Sequence, residues 1–287
     1  MKVLERMMNR NRWNVSGGPA KLFRRASRAA ALLIILVAAI SGFSCAGKKS
    51  QGRILSDQRL FELGEDALGK KRYEKARDNF TELTAIYPES ELFYRAKLKI
   101  ADSYFLVDRR AEYYEAIALY ESFVSYYPQN DLVCYGRYQI ANSYFELMEK
   151  PDRDQKATRK ALAEFMRVIN LCSGTEYAER AEEQIKACNA NIAGHEYAVG
   201  YFYYRSRGFN AAAERFKRIL RDRQYEDFHD MPAVYYYLAE SLRRSNKIEE
   251  ARIYFQQLLE KYPECRFVAK AERRLADIDD MDAMQDG

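Results

Sequence analysis

Three stretches of this chain repeat one pattern: YEKARDNFTELTAIYPES at 73–90, YEAIALYESFVSYYPQN at 114–130 and IEEARIYFQQLLEKYPE at 248–264. An Ala is followed four residues on by an aromatic, three further on by an apolar residue, and then by Tyr-Pro. Ala76, Phe80, Leu83 and Tyr87-Pro88 make the first set; Ala251, Phe255, Leu258 and Tyr262-Pro263 make the last. Steps of three and four put these residues on one face of an α-helix. The proline ends each helix, because it lacks an N–H and pushes the residue before it out of helical geometry. A helix with a single apolar stripe must bury that stripe on a neighbour, so its recurrence predicts a stacked array of helices.

The spacing is that of the second helix of a tetratricopeptide (TPR) hairpin. From Ser56 onward the chain has the period of helix almost throughout and few alternating runs. This predicts an all-α, right-handed TPR superhelix of about five hairpins and ten helices. The first hairpin pairs Asp57–Gly69 with Tyr73–Tyr87, and the second carries a loop at 108–112. The third has a long charged loop, Glu149–Lys156. An extra helical length from Tyr177 to Ile192 runs on into the fourth hairpin, which predicts one long or kinked helix there. The division expected is a leader at 1–44, a tether at 45–55, three repeats at 56–176, and a linking helix with two repeats at 177–287.

The leader decides where such an array works. Residues 1–28 carry eight Lys/Arg against Glu5 alone, followed by the apolar run Ala29–Phe43. A run of ~15 residues is short for a ~30 Å hydrocarbon core. Basic, apolar and small-residue segments in that order form a secretory signal. Cys45 follows directly after Ser44, which resembles a bacterial lipoprotein box and implies lipidation of Cys45. Met7 and Met8 offer alternative starts.

Without the leader the charge balance changes sign. The whole chain is +5, with 47 basic and 42 acidic residues. Residues 1–44 hold eight basic and one acidic residue, leaving 39 against 41, a net −2. No global electrostatic case for nucleic acid remains. Four other cysteines, at 134, 172, 188 and 265, form no Cys-x-x-Cys pair, and the chain has two histidines. No metal or cofactor is expected. Cys172 and Cys188 can bridge in an oxidising compartment or pack as buried thiols. There is no phosphate loop, zinc-type His-Glu-x-x-His or Gly-x-Ser-x-Gly elbow, which argues for a binding array and against an enzyme.

In a TPR hairpin the first helix lines the concave groove. At the corresponding offsets stand Phe61, Arg95, Phe105, Tyr135, Tyr138, Asn142 and Phe145. Recurrent aromatics there suit an extended or amphipathic client peptide, or pack between hairpins; Arg95, with Lys99 a turn away, suits a terminal carboxylate.

The segment 153–220 is more specific. Its Arg153-Asp154-Gln155, Thr158, Ala161, Phe165, Tyr177-Ala178, His195-Glu196, Val199-Gly200, Phe202-Tyr203-Tyr204 and Arg215-Phe216 match, in order, the motifs of the BamD family, the TPR lipoproteins of the outer-membrane β-barrel assembly machine. The chain resembles that family over nearly all of 56–280. It departs from it at Cys172-Ser173-Gly174-Thr175, where Tyr-Pro-x-Ser is usual, and after the fourth repeat, which lacks the Tyr-Pro stop.

The resemblance implies a lipid-anchored scaffold on the periplasmic face of the outer membrane. Its C-terminal repeats would dock on the last POTRA domain of a BamA-type barrel subunit, with Arg205, Arg215, Arg218 and Arg243 as contact candidates. Its N-terminal repeats would meet accessory lipoproteins and the aromatic-ended signal of unfolded outer-membrane proteins. His195 reads as a structural hydrogen-bonding residue at a helix junction, with Glu196 facing a backbone group or a cation. The alternative is another periplasmic TPR scaffold, of the kind that couples cell division to the Tol-Pal system.

Overall fold

The computed structural model describes residues 54–285. The leader, Cys45 and nearly all of the tether lie outside the described residues. Within them are eleven α-helices, one 3-10 turn and no strand. Five hairpins follow in order: α1 (Asp57–Gly69) with α2 (Tyr73–Ile86), α3 (Phe93–Phe105) with α4 (Arg110–Tyr126), α5 (Val133–Glu146) with α6 (Lys156–Leu171), α7 (Glu176–Arg205) with α8 (Phe209–Arg221), and α9 (Met231–Arg244) with α10 (Ile248–Lys261). An eleventh helix, α11 (Val268–Gln285), packs on α10 and closes the array. The repeat pattern ends before α11, so the expected ten helices fall one short. A terminal cap has no following hairpin to match and therefore no repeat signature.

One residue position organises every hairpin. Phe80, Tyr120, Phe165, Phe216 and Phe255 stand at the same point of the second helices, and all five are fully buried. Each follows a buried Ala (76, 116, 161, 212, 251) and precedes a buried apolar residue. The first helix meets the ring with a small residue. A Cβ on Gly64 would lie 2.5 Å from the Phe80 ring, and one on Gly200 would lie 2.9 Å from Phe216. Glycine at these two positions is therefore a packing requirement.

The turns inside hairpins share a register as well. Lys71, Asp108, Arg207 and Asn246 each sit two residues before the second helix, and each is left-handed, with φ between 56° and 63°. The second turn is shorter than the sequence pattern indicates, because α4 already begins at Arg110. Only the third hairpin lacks such a residue and uses its long loop instead.

Between hairpins, Tyr87, Tyr127 and Tyr262 cap the second helices through N–H bonds to the residue four before. Cys172 occupies that capping position in the third hairpin and is disulfide-bonded to Cys134, 38 residues away. The Cys172–Cys188 pairing considered from the sequence does not form. Cys188 is a buried thiol whose Sγ donates to Met148 Sδ, and burial pushes its pKa up to about 12.

Helix α7 runs for 30 residues without interruption. Its Ala181 and Cys188 belong to the core of the second and third hairpins, and its Ala193 to the core of the last two. No described helix is long and apolar enough to cross a membrane.

Candidate partner-binding surfaces

The groove positions of the first three hairpins are mostly occupied from within. Phe61 is buried with its ring edge-on to Phe80, centroids 5.5 Å apart. The exposed Arg95 lies over that ring at 4.8 Å. Tyr138 is also buried, against Phe165 at 5.9 Å and Tyr177 at 5.8 Å, with Arg180 over its face. Phe61 thus packs within its own hairpin beneath an arginine of the next, and Tyr138 packs both within its hairpin and onto α7. Phe105, Tyr135, Asn142 and Phe145 are half-buried and keep an open side. Phe105 meets Tyr113 edge-on, Phe145 meets Phe165, and Asn142 Nδ2 donates to Gln139 Oε1 at 3.4 Å.

Beneath them lies a polar node that the periodicity does not reveal. The second hairpin carries Tyr120 where its siblings carry Phe, so a hydroxyl is buried and must be paired. Asp102 accepts it at 2.6 Å and accepts the Tyr135 hydroxyl at 2.7 Å on the same oxygen. Burial pushes the Asp102 carboxyl above its ordinary range; the two tyrosines and Lys99 pull the other way. Lys99 lies 3.9 Å from Asp102 and 3.2 Å from Glu65. It is therefore already neutralised and adds little to Arg95 as a carboxylate anchor. A lone Tyr among Phe residues at one repeat position was the available signal.

In the last two hairpins two buried carboxylates hold the arginines. Glu196 of α7 accepts from Arg215 Nη1 of α8 at 3.0 Å, with Arg218 at 3.9 Å. Glu240 of α9 is 1% exposed and meets Arg243 at 2.8 Å, Arg244 at 3.1 Å and Arg274 of α11 at 3.3 Å. Burial alone would raise the Glu240 carboxyl, yet the hydrogen bonds from Arg243 and Arg244 bring it below its ordinary value. Arg205 is exposed in the last turn of α7, where a cation suits the helix dipole. Arg205 and Arg218 thus face solvent, whereas Arg215 and Arg243 are oriented by acids behind them. His195 Nδ1 lies 2.7 Å from the Pro151 carbonyl, in the structural role read from the sequence.

A residue network binds the loop before α6 to α7. Gln155 Nε2 donates to the carbonyls of Lys150 and Arg153, and its Oε1 accepts from Thr158 and Asn191. Asn191 donates also to the Glu149 carbonyl. No metal-type cluster of His, Cys, Asp and Glu occurs among the described residues.

Residues 54–244 match the model of an outer membrane lipoprotein family, YfiO. The chain belongs to this family. A tetratricopeptide repeat model matches 233–264, the fifth hairpin. Among curated relatives, the outer membrane protein assembly factor BamD of Caulobacter vibrioides is 29% identical over 248 residues, covering 85% of this chain and 79% of that protein. BamD of Rickettsia prowazekii is 29% identical over 243 residues, covering 84% and 95%. Among solved structures, the TPR2AB-domain:pHSP90 complex of yeast Sti1 is 14% identical, with 77% of this chain and 82% of that one covered and a TM-score of 0.42. As a member of the outer membrane lipoprotein family the chain is a TPR solenoid, and its family-matching residues have structural explanations. Gln155 and His195 brace the third loop, Gly200 admits Phe216, and Arg215 pairs with Glu196.

Proposed function

We propose that this chain is a lipid-anchored, non-enzymatic scaffold for outer-membrane β-barrel protein assembly, held through Cys45 on the periplasmic face of the outer membrane. The observation that carries this reading is the outer membrane lipoprotein match over 54–244, together with two relatives that are assembly factors over most of their length. The last two hairpins are the docking surface for the POTRA domain of a BamA-type barrel subunit. Arg215 and Arg243 supply cations oriented by buried acids, which lowers the ordering cost of a charged contact. Arg205 and Arg218 extend the basic surface. Unfolded outer-membrane proteins lie along the first three hairpins, on the open sides of Phe105, Tyr135, Asn142 and Phe145, with Arg95 toward a terminal carboxylate. Phe61 and Tyr138 shape that surface from beneath. Accessory lipoproteins of the machinery share the N-terminal repeats.

Affinity purification of the lipidated protein from outer membranes tests the reading, with recovery of a barrel-forming, POTRA-bearing partner expected. Arg218→Glu should reduce that recovery without disturbing the fold, and Arg215→Glu should reduce it further. Recovery of cell-division partners alone would overturn the assignment. Cys45→Ala should move the protein from the membrane to the soluble periplasmic fraction; unchanged fractionation would remove the anchor from the proposal.

A further inference from the structure

The loop that interrupts the third hairpin builds a cleft. It has a volume of about 670 Å³ and lies between the start of α4, the end of α5 and the start of α6. Five cations line it: Arg110, Lys150, Arg153, Lys156 and Lys160. Two acids line it too. Glu149 is paired with Arg110 at 2.6 Å, and Asp154 accepts the backbone N–H of Lys156 at 2.7 Å. The net charge of the lining is therefore +3, on a chain whose body is slightly acidic. Like charges repel, and five cations converging on one concavity are stable only with solvent or an anion between them.

The cleft is also built rigidly. The buried Gln155 side chain pins the carbonyls of Lys150 and Arg153 from behind. Asn191 and His195, both on α7, hold the carbonyls of Glu149 and Pro151. The backbone is fixed on its inner side while the side chains of Lys150, Arg153 and Lys156 stay exposed on the outer side. The α6 N-terminus adds the positive end of a 16-residue helix dipole. On the floor, Lys160 lies 4.7 Å over the Tyr144 ring and donates to its hydroxyl at 3.3 Å.

We propose that this cleft binds a phosphate-bearing ligand, either a phospholipid headgroup or a free phosphorylated solute. The volume lies in the range of small-ligand sites, not of a groove for an extended chain. A phosphate monoester offers up to two charges on one compact group, and a phosphodiester headgroup offers one charge shared by two oxygens that a guanidinium can take together. Arg153 shares the cleft lining with Lys150, Lys156 and Lys160, and a guanidinium is the side chain suited to bidentate phosphate recognition. The inference does not depend on where a barrel subunit docks, because no residue lining the cleft belongs to the last two hairpins.

The test uses the full chain in nonionic detergent at low salt. Inorganic pyrophosphate is titrated by calorimetry, and thermal stability is followed in micelles doped with phosphatidylglycerol or, as the zwitterionic reference of zero net charge, phosphatidylcholine. Pyrophosphate should bind with one-to-one stoichiometry. Phosphatidylglycerol should raise the melting temperature and phosphatidylcholine should not. Displacement of pyrophosphate by phosphatidylglycerol micelles would name a headgroup as the natural ligand; no displacement would name a soluble phosphate. Arg153→Ala with Lys156→Ala, both exposed, should weaken binding at least tenfold and leave helicity unchanged. Lys71→Ala with Lys75→Ala, on the first hairpin, should leave binding unchanged. The proposal is overturned if neither probe binds, if the two double variants behave alike, or if a hexaglutamate peptide binds more tightly than both phosphate probes.

Discussion

Glu240 and Asp102 are both buried carboxylates on first helices, but the arginines around Glu240 outweigh its burial, whereas burial outweighs the tyrosines and Lys99 around Asp102. Glu240 faces three guanidinium groups, and removing its charge leaves three arginines crowded without a counter-ion. Breaking such a buried network costs about 3–5 kcal/mol, so Glu240→Gln should lower the urea midpoint sharply at pH 7. The sign of the pH dependence follows from the depressed Glu240 pKa. Its contribution is complete above the unfolded carboxylate value near ~4 and fades as pH falls through the lower, folded value. The gap between wild type and Glu240→Gln should therefore close in acid. Asp102 has a raised pKa, so ionising it opposes folding, and protonation as pH falls through that raised value relieves the opposition. Asp102→Asn should then cost much less than Glu240→Gln, because an amide oxygen still accepts from the tyrosines. Equal losses for the two variants would show that hydrogen-bond geometry, not charge, dominates both sites.

At the scale of the element, the third hairpin shows how a repeat replaces one cross-link with another. In the second hairpin Tyr94, second residue of α3, meets Tyr127, the cap of α4, at 5.0 Å. In the third, Cys134 is second in α5 and Cys172 caps α6, and a disulfide stands in place of that ring pair. Closing a loop of this size is worth roughly 2–4 kcal/mol. Cys172→Ser should show that loss in denaturant unfolding, and a reductant should add nothing to it. Cys134→Tyr with Cys172→Tyr should recover part of the loss, about 0.5–1.5 kcal/mol for a ring pair. If the double variant is no more stable than Cys172→Ser, the two clamps are not equivalent. The stripes, the Tyr-Pro stops and the long α7 were legible in the sequence because each follows from a helical period or a helix breaker. The Cys134–Cys172 pairing was not, because cysteines carry no period; it becomes visible only when hairpin register brings the first turn of α5 beside the last turn of α6. For Phe61 and Tyr138 the sequence left the groove and packing readings both open, for a related reason. Offsets along one helix give the side of the solenoid but not how closely the next hairpin covers it.

At the scale of the whole molecule, α7 joins the core of the second and third hairpins to that of the last two, as α3 joins the first core to the second. Ala181 and Cys188 pack with the second and third hairpins, and Ala193 five residues later packs with the last two. Neighbouring hairpins pack helix against helix throughout the array, and at α7 a continuous hydrogen-bonded helix adds a second coupling between the two sides. A proline near the middle, Ala190→Pro, removes one backbone bond and clashes with the preceding turn at a cost of ~3 kcal/mol or more. The cores on each side remain intact, since Ala190 lies between them and is only half-buried. Unfolding should then change from one transition to two. Fluorescent labels on an N-terminal and a C-terminal hairpin should report different midpoints in the variant and the same midpoint in the wild type. A single transition shifted to lower denaturant would mean that the two cores are joined by more than the helix axis.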